Sequence, residues 1–303
     1  MSSPPGAPSP IASPSTRAYA GRKGVDIDAL AAEIGRESIA REDVDRKLSG
    51  KSPAPVAGSG QSRYWEVDHS AYGPVAEEPM SRFAQVASAN MAAAQVLIPA
   101  VTHHDRADMT AVEAFRKSLR GEAAERGIRL TALSFHVRAL ARSLRAFPRF
   151  NASLSSNAAT LVLKRYVHVG IAVDAPSGLI VPVIRDADRK GLWQISAEIA
   201  DLAARAQARK IRPVELGGAS MTISNLGGIG GTGFTPIVNP PEVAILGITR
   251  SEIVPVWDGD SFQPAQMVPL DLSYDHRVIN GADAARFLVH YARLLADPRR
   301  MLI

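Results

Sequence analysis

Residues 270–287 read LDLSYDHRVINGADAARF, and this stretch decides the architecture. Val268, Leu270, Leu272 and Tyr274 alternate with polar residues, the period of a strand with one buried face. The alternation stops at Asp275-His276-Arg277, and Asn280-Gly281 supplies turn chemistry. From Ala282 the spacing is helical, with Ala285, Phe287, Leu288, Tyr291 and Leu294-Leu295 recurring at three- and four-residue steps. A strand, a tight turn and a helix therefore place His276 at a strand's end. Imidazole is the side chain whose unperturbed pKa lies nearest neutrality, so His276 is a candidate for proton transfer. A single histidine beside a turn also fits a packed or capping role, and the spacing alone does not choose.

Working outward, 303 residues allow one large domain plus something small, or two ordinary domains. The hydrophobic share of 46% suffices for a packed core, yet no window is long and apolar enough for a membrane helix. The N-terminus carries no secretory pattern, so a cytoplasmic location is expected. With no cysteine, disulfides, thiolate nucleophiles and cysteine-ligated metals are excluded. The net charge of +5 comes from scattered Lys and Arg, and aromatics are only 6%, so a nucleic-acid partner is not expected. A mildly basic surface suits a phosphorylated cofactor or acidic partner modules.

Four regions follow from texture. Residues 1–11 are rich in Pro, Ser, Gly and Ala and are expected to stay disordered. Residues 12–48 are short and charged with helical signals: Ser13-Pro14 opens one helix and 40–48 reads as another. Residues 49–73 form a Pro/Gly/Ser/Ala linker. Residues 74–303 read as one α/β domain. Within it we expect helices at 79–97, from Thr110 to Gly127, from Thr131 to Pro148 and at 195–208. Strands are expected at 98–105, 161–173, 179–184 and 219–225. There is no internal repeat.

His103 and His104 are adjacent on a strand, so they point to opposite faces and cannot share an ion. His136 and His168 are isolated and no HExxH spacing occurs, so no metal site is predicted. The glycines at 227, 228, 230, 231 and 233 resemble a phosphate cradle, but they match no nucleotide-binding pattern, and prolines rather than a helix follow. Close backbone packing is the plainer reading of these glycines. No GxSxG elbow is present.

DHRVINGADAARF resembles the active-site signature of the dihydrolipoamide acyltransferases, the E2 components of 2-oxoacid dehydrogenase complexes. GIAVDAPSGLIVPVIR at 170–185 and SMTISNLGGIGGTGFTPIVNPPEVAILG at 220–247 are similar to two more of that family's stretches. The likeness runs from Pro79 to the C-terminus, and SYDHRVIN with FTPIVNPPEVAILG is most like the bacterial pyruvate-type branch. It implies an α/β fold like that of chloramphenicol acetyltransferase, a mixed sheet with flanking helices, and a homotrimer with its active-site channel between subunits. It implies acetyl transfer between a dihydrolipoyl group and coenzyme A. His276 would be the base, and Ser224, from the adjacent subunit, the donor to the oxyanion. Asn280 would hold the turn by hydrogen bonding, since an asparagine cannot carry the charge of the aspartate common in the family. Arg116 and Lys164 match basic family positions for coenzyme A, and both also read as solvated surface charges.

Residues 12–48 resemble the family's peripheral subunit-binding domain: Pro14, Arg17, Ala20, Gly24-Val25-Asp26, Ile39 and Glu42-Asp43-Val44 fall where that motif has them. The glycine-rich loop departs, with Ala32, Ile34 and Glu37 at its glycine positions, so a helix through Asp28 to Gly35 is the alternative. The implied partners are the E1 and E3 dehydrogenase subunits. No segment like a lipoyl domain precedes Ser13, so a lipoyl domain is expected in trans or on a removed part. The apolar Met301-Leu302-Ile303 resembles the tail that joins trimers into a hollow cubic core. Two other classes remain open: a non-catalytic scaffold, and an acyltransferase for another acyl group (acetoin, branched-chain or a small molecule).

Overall fold

The computed structural model describes residues 12, 14–34, 39, 41–48, 67–176 and 178–301. Two compact units divide between Glu78 and Pro79, a few residues beyond the expected boundary at 74. Residues 1–11, expected to be disordered, and most of the expected linker fall outside the described residues, as do Gly35 and Glu37.

The first unit holds three short helices, α1 (Pro14–Arg22), α2 (Ile27–Ile34) and α3 (Arg41–Leu48). Gly24 ends α1 at φ +69, and Asp26 then accepts from the amides of Asp28 and Ala29, starting α2. Ala20, Ile27, Leu30, Ala31, Ile39 and Val44 form a small core of their own. The Arg41 guanidinium lies 4.0 Å over the Tyr19 ring.

The second unit opens with α4 (Arg82–Leu97), capped by Ser81 Oγ, which accepts from the Ala84 amide. Strand β1 (Ala100–Asp108) follows. The expected Thr110 helix breaks at Leu119 into α5 (Thr110–Ser118) and α6 (Arg120–Glu125). Gly127, at φ +63, donates to Ala124 while Ile128 donates to Ala123, which closes the helix as a Schellman motif. Helix α7 (Ala132–Ala146) runs to Pro148 as expected.

The long strand expected at 161–173 is broken. β2 (Ala152–Leu154) and β3 (Leu161–Leu163) form a separate hairpin, and β4 (Val169–Ile171) joins the main sheet. The cause is side-chain hydrogen bonding from distant positions: Asn151 Nδ2 donates to the carbonyls of Lys164 and Tyr166, and Ser220 Oγ accepts from the His168 amide. Side chains there take the place of a ladder. β5 (Val173–Ala175) and β6 (Gly178–Ile180) make a second hairpin, then come β7 (Val183–Ile184), α8 (Leu192–Gln207), β8 (Met221–Asn225) and β9 (Ala244–Ile248). β10 (Glu252–Trp257), β11 (Phe262–Asp275) and α9 (Gly281–Ala296) complete the unit.

The main sheet is mixed, in the order β1-β11-β9-β8-β4-β7, with β10 also on β11. The pairs β9–β8 and β8–β4 are parallel and the rest antiparallel. Leu270, Leu272 and Tyr274 point into the large core with α7 and α9 residues such as Leu140, Phe287 and Tyr291. The opposite face of β11 differs from the one-sided strand read in the sequence. Asp271, Ser273 and Asp275 are buried as well, and each is paired, with His104, Thr102 and Arg277 respectively. The period-2 pattern records polarity here, and hydrogen bonding makes the polar face buriable. Among the described residues no helix is long and apolar enough to cross a membrane.

Candidate active site

His276 stands exposed on the first residue past β11. The backbone beneath it is fixed from three sides. The Asp275 amide donates to Val243 O at 2.8 Å, the His276 amide donates to Pro99 O at 3.1 Å, and Val278 and Ile279 both donate to Asp275 O at 3.0 Å. Asp275, 3% exposed, accepts from the Arg277 amide at 3.0 Å, from its Nε at 3.0 Å and from its Nη2 at 2.7 Å. That clamp neutralises the buried carboxylate and raises the Arg277 pKa above its ordinary value. The imidazole is left free of it, 5.9 Å from the Tyr274 ring. Asn280 ends the turn as the cap of α9: its Oδ1 accepts from the Asp283 amide at 2.8 Å.

Ser224 lies on β8, half-buried, opposite Gly247 of β9. Gly247 faces Asp271 on β11, and Asp271 faces His104 on β1, so the four form one row across the sheet. His276 is five residues along β11 from that row, and Ser224 is two strands away from β11. At ~3.3 Å per residue and ~4.8 Å between strands, the two side chains are roughly 15–20 Å apart within one chain. The structure therefore does not bring Ser224 and His276 together in a single copy.

Of the glycines after Ser224, Gly227 fits close packing, since a Cβ there would stand 3.0 Å from Asn225 Oδ1 and 3.2 Å from Thr249 O, whereas Gly228 has nothing within 4 Å and Gly231 instead takes a positive φ of +87. A Cβ on Gly247 would stand 2.8 Å from the Phe234 ring, and the Phe234 amide donates to Asp271 Oδ2 at 3.2 Å. Asp271 Oδ1 lies 2.6 Å from His104 Nδ1, a pairing that sequence reading did not foresee. Beside this segment opens a cleft of about 560 Å³. Asn225, Gly227 and Gly228 form one wall, and Glu113, His136 and Ser196 lie deeper. Arg129, exposed, also lines it, a residue the sequence reading passed over because it belongs to no motif.

Arg116 stands one step behind this cleft. Its Nε and Nη2 hold the Glu113 carboxylate at 2.7–3.1 Å, and this contact raises its pKa. Lys164 lies elsewhere, half-buried, with Nζ donating to Ala219 O at 2.8 Å. Burial holds its pKa below the ordinary lysine value, with nearby Glu242 acting in the opposite direction. Glu242 lines a second cavity of about 500 Å³, and burial pushes its carboxyl up to about 7. Its Oε1 accepts from Thr222 and Asn239, while Oε2 has no partner among the described residues.

The C-terminal tail differs in part from expectation. Met301 is 2% exposed and packs into the main core, while Leu302 and Ile303 lie outside the described residues.

The sequence model of the 2-oxoacid dehydrogenases acyltransferase (catalytic domain) matches residues 72–303. This chain belongs to that family. Among the acyltransferases it resembles is the dihydrolipoyllysine-residue acetyltransferase component of the pyruvate dehydrogenase complex of Pseudomonas aeruginosa, 47% identical over 96% of this chain and 55% of that one. The Azotobacter vinelandii component is 44% identical over 96% of this chain and 47% of its own length. The chain thus spans about half the length of these curated relatives. Among solved structures, one of the Azotobacter vinelandii dihydrolipoamide acetyltransferase superposes with a TM-score of 0.77 at 47% identity, covering 83% of this chain and 100% of that one. That structure was reported with investigations of one serine, one histidine and one asparagine in its catalytic mechanism. The cubic core of the pyruvate dehydrogenase multienzyme complex matches equally, at a TM-score of 0.77. The acyltransferase fold, a mixed sheet with flanking helices, is therefore that of the family.

Proposed function

We propose that this acyltransferase moves an acetyl group between a dihydrolipoyl thiol and coenzyme A by direct attack, in an active site completed by a second copy of the chain. The observation that carries the reading is the exposed imidazole of His276 on a rigid turn, with Asn280 capping the helix behind it. The serine, histidine and asparagine investigated in the Azotobacter vinelandii acetyltransferase fall at the same spacing along that chain as Ser224, His276 and Asn280 do along this one.

His276 takes the proton from the attacking thiol, and the thiolate adds to the thioester carbonyl. The oxyanion accepts a hydrogen bond from Ser224 Oγ of a neighbouring copy. Collapse reforms the carbonyl and expels the second thiolate, which recovers the proton from His276. No group on the protein is acylated, in keeping with the absence of cysteine. Coenzyme A lies in the cleft beside Ser224 in this reading, with Arg129 at its rim and the Glu113–Arg116 pair behind it. The distance between Ser224 and His276 within one copy supports a homotrimer or a larger cubic core.

Residues 12–48, with a core of their own, serve in this reading as a peripheral subunit-binding domain for the E1 or E3 subunits. A lipoyl domain delivers the acetyl group in this reading. The bacterial relatives support a cytoplasmic setting.

The test is coenzyme A-dependent acetyl transfer to free dihydrolipoamide, comparing the wild type with His276→Ala. Loss of about three or more powers of ten is expected in kcat. Negligible transfer by a well-assembled wild type would overturn the reading and favour a scaffold.

A further inference from the structure

His136, on α7, is 2% exposed and lines the cleft beside Ser224. Its Nδ1 lies 2.7 Å from the hydroxyl of Tyr291, which is fully buried on α9. The same hydroxyl lies 3.4 Å from His136 O. A tyrosine hydroxyl has one proton and two lone pairs, so it can pair with Nδ1 as donor or as acceptor, and Nδ1 is occupied in either tautomer. Among the described residues no protein group is paired with Nε2, nor is this atom sealed from the cavity. Burial lowers the His136 pKa to about 4, so near neutral pH the ring is uncharged and offers one N–H.

His136 is 2% exposed, yet one of its ring nitrogens is open to the cleft with no protein partner among the described residues, so a ligand amide there would complete its hydrogen bonding. The pantetheine arm of coenzyme A is uncharged, extended and carries two amides. A neutral ring nitrogen inside the cleft suits that arm, whereas Arg129 at the rim suits the phosphates.

We infer that His136 Nε2 hydrogen-bonds an amide of the pantetheine arm, so that the Tyr291–His136 pair sets affinity for coenzyme A. The inference rests on the cleft being the coenzyme A site.

The experiment is calorimetric titration of the assembled protein with coenzyme A and with 3′,5′-ADP, which lacks the pantetheine arm. His136→Leu is expected to weaken coenzyme A about five- to tenfold. It should leave 3′,5′-ADP binding unchanged. His136→Gln keeps an N–H donor and should recover most of the loss. Wild-type affinity in a folded His136→Leu protein would overturn the inference. So would equal weakening in Leu and Gln variants accompanied by weaker 3′,5′-ADP binding, the pattern of a packing defect. A wild type that binds neither probe would overturn the cleft assignment itself, and that outcome is read without any variant.

Discussion

At the scale of single residues, the structure assigns buried charge to two different tasks. Asp275 is satisfied by Arg277 and a backbone amide, and this rigid pair holds His276 outward. Glu242 has hydrogen bonds on only one oxygen, and burial lifts its carboxyl to about 7 from an ordinary 4.5. Between these values the folded chain retains a proton that the unfolded chain has released. Its contribution to stability is therefore greatest below pH 4.5 and is lost as pH rises towards 7. Thermal denaturation of Glu242→Gln beside the wild type should show a smaller loss of Tm over that interval, and parallel curves would contradict it. His136 has the opposite sign. Its pKa near 4, against 6.5, means that the unfolded chain binds a proton first as pH falls, so stability declines from about pH 6.5 down to 4. The same titration on His136→Gln should flatten the acid limb alone. The His276 turn was legible in DHRVING because its contacts are local. The pairs His104–Asp271 and His136–Tyr291 were not, since partners 167 and 155 positions apart leave no mark on spacing.

At the scale of elements, the same division recurs. Helices α7 and α9 followed from apolar periodicity, from a local stop at Pro148 and from a local start at Asn280. The strand expected at 161–173 did not form as written, because Asn151 and Ser220, far along the chain, take its backbone groups. Asn280→Ala removes the cap of α9 and should lower stability by about 1 kcal/mol in urea denaturation. A variant as stable as the wild type would show that its side chain serves chemistry alone. Gly247 is fixed by shape, since a Cβ would stand 2.8 Å from the Phe234 ring. Gly247→Ala should cost about 1–3 kcal/mol. Adding Phe234→Ala should relieve much of that cost, whereas additive losses in the double mutant would contradict the clash.

At the scale of the whole molecule, the acyltransferase fold was legible because three long stretches of text carry it. The sharing of its active site between copies was implied by the family resemblance alone, and the register, which sets Ser224 on one row of the sheet and His276 five residues beyond it, supports that expectation. Nothing in the spacing of two residues in sequence distinguishes a site within one copy from a site shared by two. Met301 illustrates the same limit, because an apolar tail can fold back into its own core as readily as onto a neighbour.

That shared site is the central claim, and subunit mixing tests it most directly. His276→Ala and Ser224→Ala chains, each expected to be nearly inactive alone, would be co-expressed, purified as mixed assemblies and assayed for acetyl transfer to dihydrolipoamide. If His276 of one copy works with Ser224 of the next, about a quarter of the interfaces in a random assembly carry both intact groups. Activity should return to a comparable fraction of the wild type. Mixed assemblies no more active than the separate variants would place both groups within one copy and contradict the account.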